Sequence, residues 1–155
     1  MQITYQPYDP DWVKNIRSGG PDDYAMPAEK TISDGGGNPC RYCLDEVPKG
    51  AAMLICAARP FPDPQPYAET GPIFLCADDC TPSNGAGMPP VLANRGQCLL
   101  KAYGTNNRII YGTGQITQTA DIESYCKTLF SDSQVAYIDA RSALNNCFTV
   151  RITRG

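Results

Sequence analysis

The sequence predicts an α+β fold: a mainly antiparallel sheet of about five to seven strands, able to curl into a barrel, with one main helix over about residues 119–131. Three observations carry this reading. Short apolar runs of strand length recur between turns rich in Gly, Pro and Asn. Several of those runs are separated by only a few residues, as in hairpins. A single stretch, Ile122 to Phe130, carries the spacing of a helix with one apolar face. At 155 residues and 42% hydrophobic composition the chain suits one core. We therefore read one domain over 1–155, with 1–37 an extended N-terminal segment packed on it.

In chain order, Ile3 and Tyr5 alternate with Thr4 and Gln6 as in a short strand. Asp11 is a candidate cap for a brief helix bearing Trp12, Val13 and Ile16, which Gly19-Gly20-Pro21 stops. From there to Asp34-Gly35-Gly36-Gly37 the chain is polar and reads as an extended connection. No strand-loop-helix context surrounds Gly35 to Gly37, so a flexible turn is preferred over a phosphate-cradling loop. Val47-Pro48-Lys49-Gly50 has the chemistry of a turn. It leads into Ala51 to Ala58, a near-continuous apolar run that suits a strand covered on both faces, with Cys56 in the core.

Arg59-Pro60-Phe61-Pro62-Asp63-Pro64-Gln65-Pro66-Tyr67 cannot be helix or central strand, because its prolines remove donors and hold the preceding residues extended. Ile73 to Ala77 is the next strand. A loop follows, with one helical turn near Val91 to Asn94. Cys98 to Tyr103 and Arg108 to Tyr111 read as a hairpin about Gly104-Thr105-Asn106-Asn107, with a break at Gly112-Thr113-Gly114. Thr119 is the expected N-cap of the main helix, whose apolar face includes Cys126. Val135 to Ala140 and Cys147 to Ile152 close the sheet, with Phe148, Val150 and Ile152 turned inward. Asp139 lies in this hairpin, either as a solvated outward residue or as a buried carboxylate with a raised pKa.

Composition excludes several functions. A net charge of −3 and no Lys/Arg run leave no basic face to neutralise phosphates, so neither nucleic acid nor an acidic membrane surface is the expected partner. No window approaches the roughly 20 apolar residues of a membrane-spanning helix. The opening Met-Gln-Ile-Thr-Tyr-Gln-Pro resembles no secretory signal, so the expected location is cytoplasmic. The chain has no histidine. Ser-His-Asp and Cys-His nucleophiles, histidine bases and His-containing metal sites are all removed, and any acid–base work must fall to carboxylates, thiols, tyrosines or lysines.

Pro39-Cys40-Arg41-Tyr42-Cys43-Leu44, Arg59-Pro60-Phe61, Pro66-Tyr67-Ala68-Glu69, Gly71-Pro72-Ile73-Phe74-Leu75, Tyr111-Gly112-Thr113-Gly114, Val135-Ala136-Tyr137 and Arg141-Ser142-Ala143-Leu144-Asn145-Asn146-Cys147-Phe148 stand in this order. Together they resemble the bacterial family known as domain of unknown function 1203, over nearly the whole chain from Asp34-Gly35. The resemblance implies no reaction, ligand or catalytic residue, because the family has none assigned.

Two constellations remain. Four of the eight cysteines form two close pairs, Cys40/Cys43 and Cys76/Cys80. Two such pairs can supply the four thiolates of a tetrahedral zinc site. They meet if the two apolar strands are antiparallel neighbours and Leu44 to Gly50 folds back. No Gly or Pro directly follows either pair to make a zinc-knuckle turn. The same thiols can instead stay reduced and simply pack or sit exposed, or run redox chemistry with Arg41 favouring a thiolate at Cys40 and Asp78 and Asp79 opposing one at Cys80. The second constellation is Arg59, Tyr67, Glu69, Tyr111 and Arg141, on or near the proline loop. These residue types could grip a small anionic ligand by bidentate hydrogen bonds. Alternatively Arg59–Glu69 is a loop-bracing salt bridge and the tyrosines are core. Two functions follow: a small binding or structural module, metal-stabilised by cysteine-bound zinc, or an enzyme acting on a small anionic substrate with Glu69 or Asp139 as base and Arg59 or Arg141 as clamp. A thiol redox protein is the third reading.

Overall fold

Strands form where the apolar runs stand, and they sort into two antiparallel sheets that do not close into a barrel. The computed structural model describes residues 1–155. The larger sheet has five strands: β1 (Ile3–Gln6), β5 (Gln97–Tyr103), β6 (Gln115–Gln118), β7 (Tyr137–Ser142) and β8 (Phe148–Arg154), in the order β1-β8-β7-β5-β6. The smaller has three, β2 (Glu29–Ile32), β3 (Ala52–Ala58) and β4 (Gly71–Cys76), with β3 central. Three helices complete the fold: α1 (Pro10–Arg17), the single turn α2 (Pro90–Ala93) and α3 (Ile122–Phe130).

Alternation along the large sheet separates two faces. Leu100, Ala102, Ile138, Ala140, Val150 and Ile152 point to the main core, which Ile122, Cys126 and Phe130 of α3 cover from outside. On the reverse face, Lys101, Asp139 and Arg151 stand side by side across β5, β7 and β8, with the Tyr103–Tyr137 pair next to them. The proline loop lies over this reverse face. Phe61 packs against Tyr103 and Tyr137, Pro60 accepts a hydrogen bond from Arg151 through its carbonyl (2.7 Å), and Glu69 pairs with Lys101 and Arg141, each at 3.3 Å. A second core lies between the small sheet and α1, built on Val13, Ile16, Met53, Cys56, Ile73 and Leu75.

Several expectations are corrected. Helix α1 is capped by Asp9, whose carboxylate accepts the Trp12 N–H (2.8 Å), and not by Asp11, because Pro10 takes the first helical position. The polar connection contains β2, whose four residues are all exposed; its ladder to β3 is purely backbone, so no apolar alternation announces it. Residues 108–111 make only one bridge, Ile109 to Tyr103, and β5 pairs with β6 instead. Thr113 fills the gap in the ladder: its Oγ1 accepts the Ala102 N–H at 3.1 Å and donates to the Ile110 carbonyl at 2.6 Å. Thr119 does not cap α3 but donates to the carbonyl of Arg95, tying α2 to the 3-10 turn over Thr119–Asp121. A bulge shifts the β7–β8 register between Ala140 and Arg141, so Phe148 opposes Arg141 and joins the second core, while Val150 and Ile152 stay in the first. Asp139 is fully buried and not solvated.

Candidate metal centre

Segment 38–47 must double back for the cysteine pairs to meet, and its backbone does so. Val47 N–H donates to Asn38 (2.8 Å), Cys40 N–H to Asp45 (2.9 Å) and Leu44 N–H to Cys40 (3.0 Å). The turn needs one residue in the left-handed region, and Leu44 supplies it at φ 59°. An L-residue there costs about 1–2 kcal/mol. Complete burial of the Leu44 side chain in the main core outweighs that cost. The knuckle expected to need Gly is thus made by a leucine.

The folded segment runs beside β4. Cys40 bridges Phe74 in parallel, Arg41 N–H donates to the Phe74 carbonyl (3.1 Å), and Cys76 N–H points at Cys40 Sγ (3.3 Å). The loop after β4 returns Cys80 to the same place, with Cys40 and Cys80 sulfurs 4.0 Å apart. All four ligand atoms of Cys40, Cys43, Cys76 and Cys80 lie within 4.8 Å of one another. A tetrahedron of zinc–sulfur bonds near 2.3 Å has edges of about 3.8 Å, so the sulfurs stand close to coordinating positions. All eight cysteines are free thiols; Cys56, Cys98 and Cys126 are buried in the cores and Cys147 is half-buried.

The cluster polarises its own thiols. Hydrogen bonds from the Cys43 and then the Cys76 thiol, with their backbone N–H groups, hold Cys40 far below the ordinary thiol range. As donor to Cys40, Cys43 is pushed up to about 12, and Cys76 is raised by donating to both. Among the clustered thiols the proton is thus held least tightly at Cys40, and negative charge there opposes ionisation of Cys43 and Cys76. Arg17, from α1, lies against the cluster: it donates from Nη2 to Cys80 Sγ (3.1 Å) and from Nε to the Cys76 carbonyl (3.1 Å), and approaches Asp79 at 3.8 Å. Arg17 and Leu44 are the neighbours that sequence reasoning passed over. The amphipathic spacing of α1 could have indicated Arg17 as the residue following its buried Val13 and Ile16; nothing in the sequence marks Leu44.

The proline-loop constellation is divided by the structure. Glu69 and Arg141 meet, and Tyr67 and Tyr111 hydroxyls hydrogen-bond at 2.7 Å, although Tyr111 is 77% exposed and not core. Arg59 does not reach Glu69; its guanidinium donates to the carbonyls of Phe61 (3.2 Å) and Pro62 (3.4 Å). It lines a separate cleft of about 840 Å³ with Tyr8, Trp12, Phe61 and Arg151. Asp139 is held by Arg151 through two bonds of 2.7 and 2.9 Å. Burial raises its pKa, and Arg151 pulls it back down. No helix is long and apolar enough to cross a membrane.

A family model described as "Protein of unknown function (DUF1203)" matches residues 37–154. No curated protein and no solved structure matches the chain.

Proposed function

The chain belongs to the DUF1203 family, proteins of unknown function, and from the geometry of its cysteines we propose that it is a small binding or structural module closed by one zinc ion on Cys40, Cys43, Cys76 and Cys80. The observation that carries this reading is the convergence of four sulfurs within 4.8 Å from segments that share no single element. Four thiolates fill zinc's tetrahedral shell, so the ion would stabilise and not catalyse. Zinc would make the remaining thiols ionise and would lock segment 38–47 and the loop to Cys80 onto the end of β4. Four thiolates with a divalent cation leave an anionic centre, which Arg17 is placed to offset. The pairing of a metal clip with a modest core fits a domain whose loops carry much of its chain.

Cobalt substitution tests the reading. Reconstitution with Co²⁺ should give the intense visible bands of tetrahedral thiolate coordination at one ion per chain, and Cys43→Ser or Cys80→Ser should weaken them. Absence of those bands, with formation of disulfides in air, would instead favour the redox reading.

A further inference from the structure

A second cavity, of about 460 Å³, lies between segment 36–41, β4, α2 and the β7–β8 turn. Three arginines line it: Arg41, Arg95 and Arg141; none of its lining residues is acidic. Arg41 is 4% exposed and has no carboxylate partner. Its Nε donates to the Phe148 carbonyl (2.8 Å) and its Nη1 to that of Pro39 (2.7 Å), leaving Nη2 without a protein partner. Arg141, 3% exposed, uses Nη1 for the Asn146 carbonyl (2.8 Å) and for Glu69, a carboxylate it shares with Lys101. Its Nε has no hydrogen-bond partner either. Arg95 reaches Glu46 at 2.9 Å through Nη1 alone. The three arginines of the cavity thus have Glu46 and a Glu69 that Lys101 also holds as their carboxylate partners.

Buried charge is normally paired, because desolvating an unpaired guanidinium costs several kcal/mol. A planar fork with free N–H groups matches a carboxylate or phosphate. Gly37 brings the chain close to Arg95: a Cβ at that glycine would stand 3.2 Å from Nη1. Phe74, Val91, Leu92 and Leu144 add an apolar wall to the same cavity. Its volume falls within the range of small-molecule sites.

We propose that this cavity binds a small organic anion, its phosphate or carboxylate head held by Arg41, Arg95 and Arg141 and its apolar part against Phe74 and Leu92. The anion would not contact the cysteine cluster, although Pro39 and Arg41 belong to the segment that the proposed zinc would hold in place. It moves the anion-binding role expected of the proline loop to arginines of which only Arg141 was in that set. Cys147 lines the same cavity and is half-buried, which makes it a reporter.

The test is calorimetric titration of the whole protein with phenyl phosphate and with phenylacetate, using benzyl alcohol and inorganic phosphate as controls. The two aromatic anions separate the phosphate from the carboxylate head. At least one should bind saturably, while the neutral alcohol does not bind and inorganic phosphate binds about tenfold more weakly for want of the apolar contact. Arg95→Gln, at a partly exposed side chain, should weaken the binding anion by about tenfold or more. Alkylation of Cys147, followed by peptide mass spectrometry, should slow in its presence. No saturable binding of either aromatic anion overturns the proposal. So does binding that Arg95→Gln leaves unchanged while Cys147 stays unprotected, which would place the ligand in another cleft.

Discussion

Asp139→Ala should destabilise the domain by about 3 kcal/mol, whereas Asp139→Val with Arg151→Met should cost less than about 1 kcal/mol. The carboxylate is fully buried and accepts two bonds from Arg151, at 2.7 and 2.9 Å. Arg151 also lies over the Tyr137 ring, 3.8 Å from its centroid, and over Phe61 at 5.4 Å. Removing Asp139 alone strands a largely buried cation, a loss of about 3–5 kcal/mol in comparable sites. The lower end applies because the Arg151 side chain is 22% exposed and opens onto the large cleft, where water can reach it. Burial keeps the Asp139 pKa raised against the opposing pull of Arg151, and the desolvation penalty of a buried ion pair commonly offsets its attraction. An apolar pair of similar bulk, with methionine over the same rings, should therefore be almost neutral. Thermal unfolding at neutral pH measures both variants, and the single mutant should lose about 6–12 °C of Tm. If the double variant is as unstable as the single one, the pair contributes net stability and the reasoning fails.

Leu44→Ala should cost about 3 kcal/mol through the cavity it leaves, and Leu44→Gly should cost no more despite removing a further carbon, since glycine relieves the left-handed strain; chemical denaturation ranks the two. Asp22 has a different signature. Partial burial would raise its pKa, but the N–H groups of Ala57, Met26 and Tyr24 outweigh that and hold it below the ordinary 3.8. Its contribution is therefore present above that value and lost as pH falls through the lower folded pKa, so the stability gap between wild type and Asp22→Asn, about 1 kcal/mol near neutrality, should close in acid. Burial pushes Cys98 up to about 11 and Cys56 and Cys126 up to about 12, so timed alkylation of the native protein should modify Cys147 about 100-fold or more faster than these three.

Legibility in the sequence followed the kind of force involved. Helix α3 and strands β4 and β5 bury apolar side chains at a regular period, and β3 is a near-continuous apolar run; both kinds of pattern are written in the residues. Strand β2 buries nothing, and a side-chain hydroxyl at Thr113 displaces the expected strand partner, so neither leaves a periodic trace. The bulge that turns Phe148 to the other core is set by pairing between strands, which alternation within one strand cannot reveal. At the candidate site, the two cysteine pairs were legible because the spacing within each pair is local. Arg17, brought from α1 some 60 residues before Cys76 in sequence, depends on tertiary packing alone. Arg41 was visible beside Cys40, but its place in a second cavity follows from its bonds to Phe148 and Pro39.

The central claim, a cysteine-held structural zinc, is tested most directly by elemental analysis of the purified protein before and after chelation, read beside its circular dichroism. One zinc per chain, lost to a strong chelator together with the ordered fold and recovered with Cys40, Cys43, Cys76 and Cys80 intact, is the predicted result. Metal-free protein with the same folded spectrum and the same unfolding midpoint, unchanged by added zinc, would contradict it.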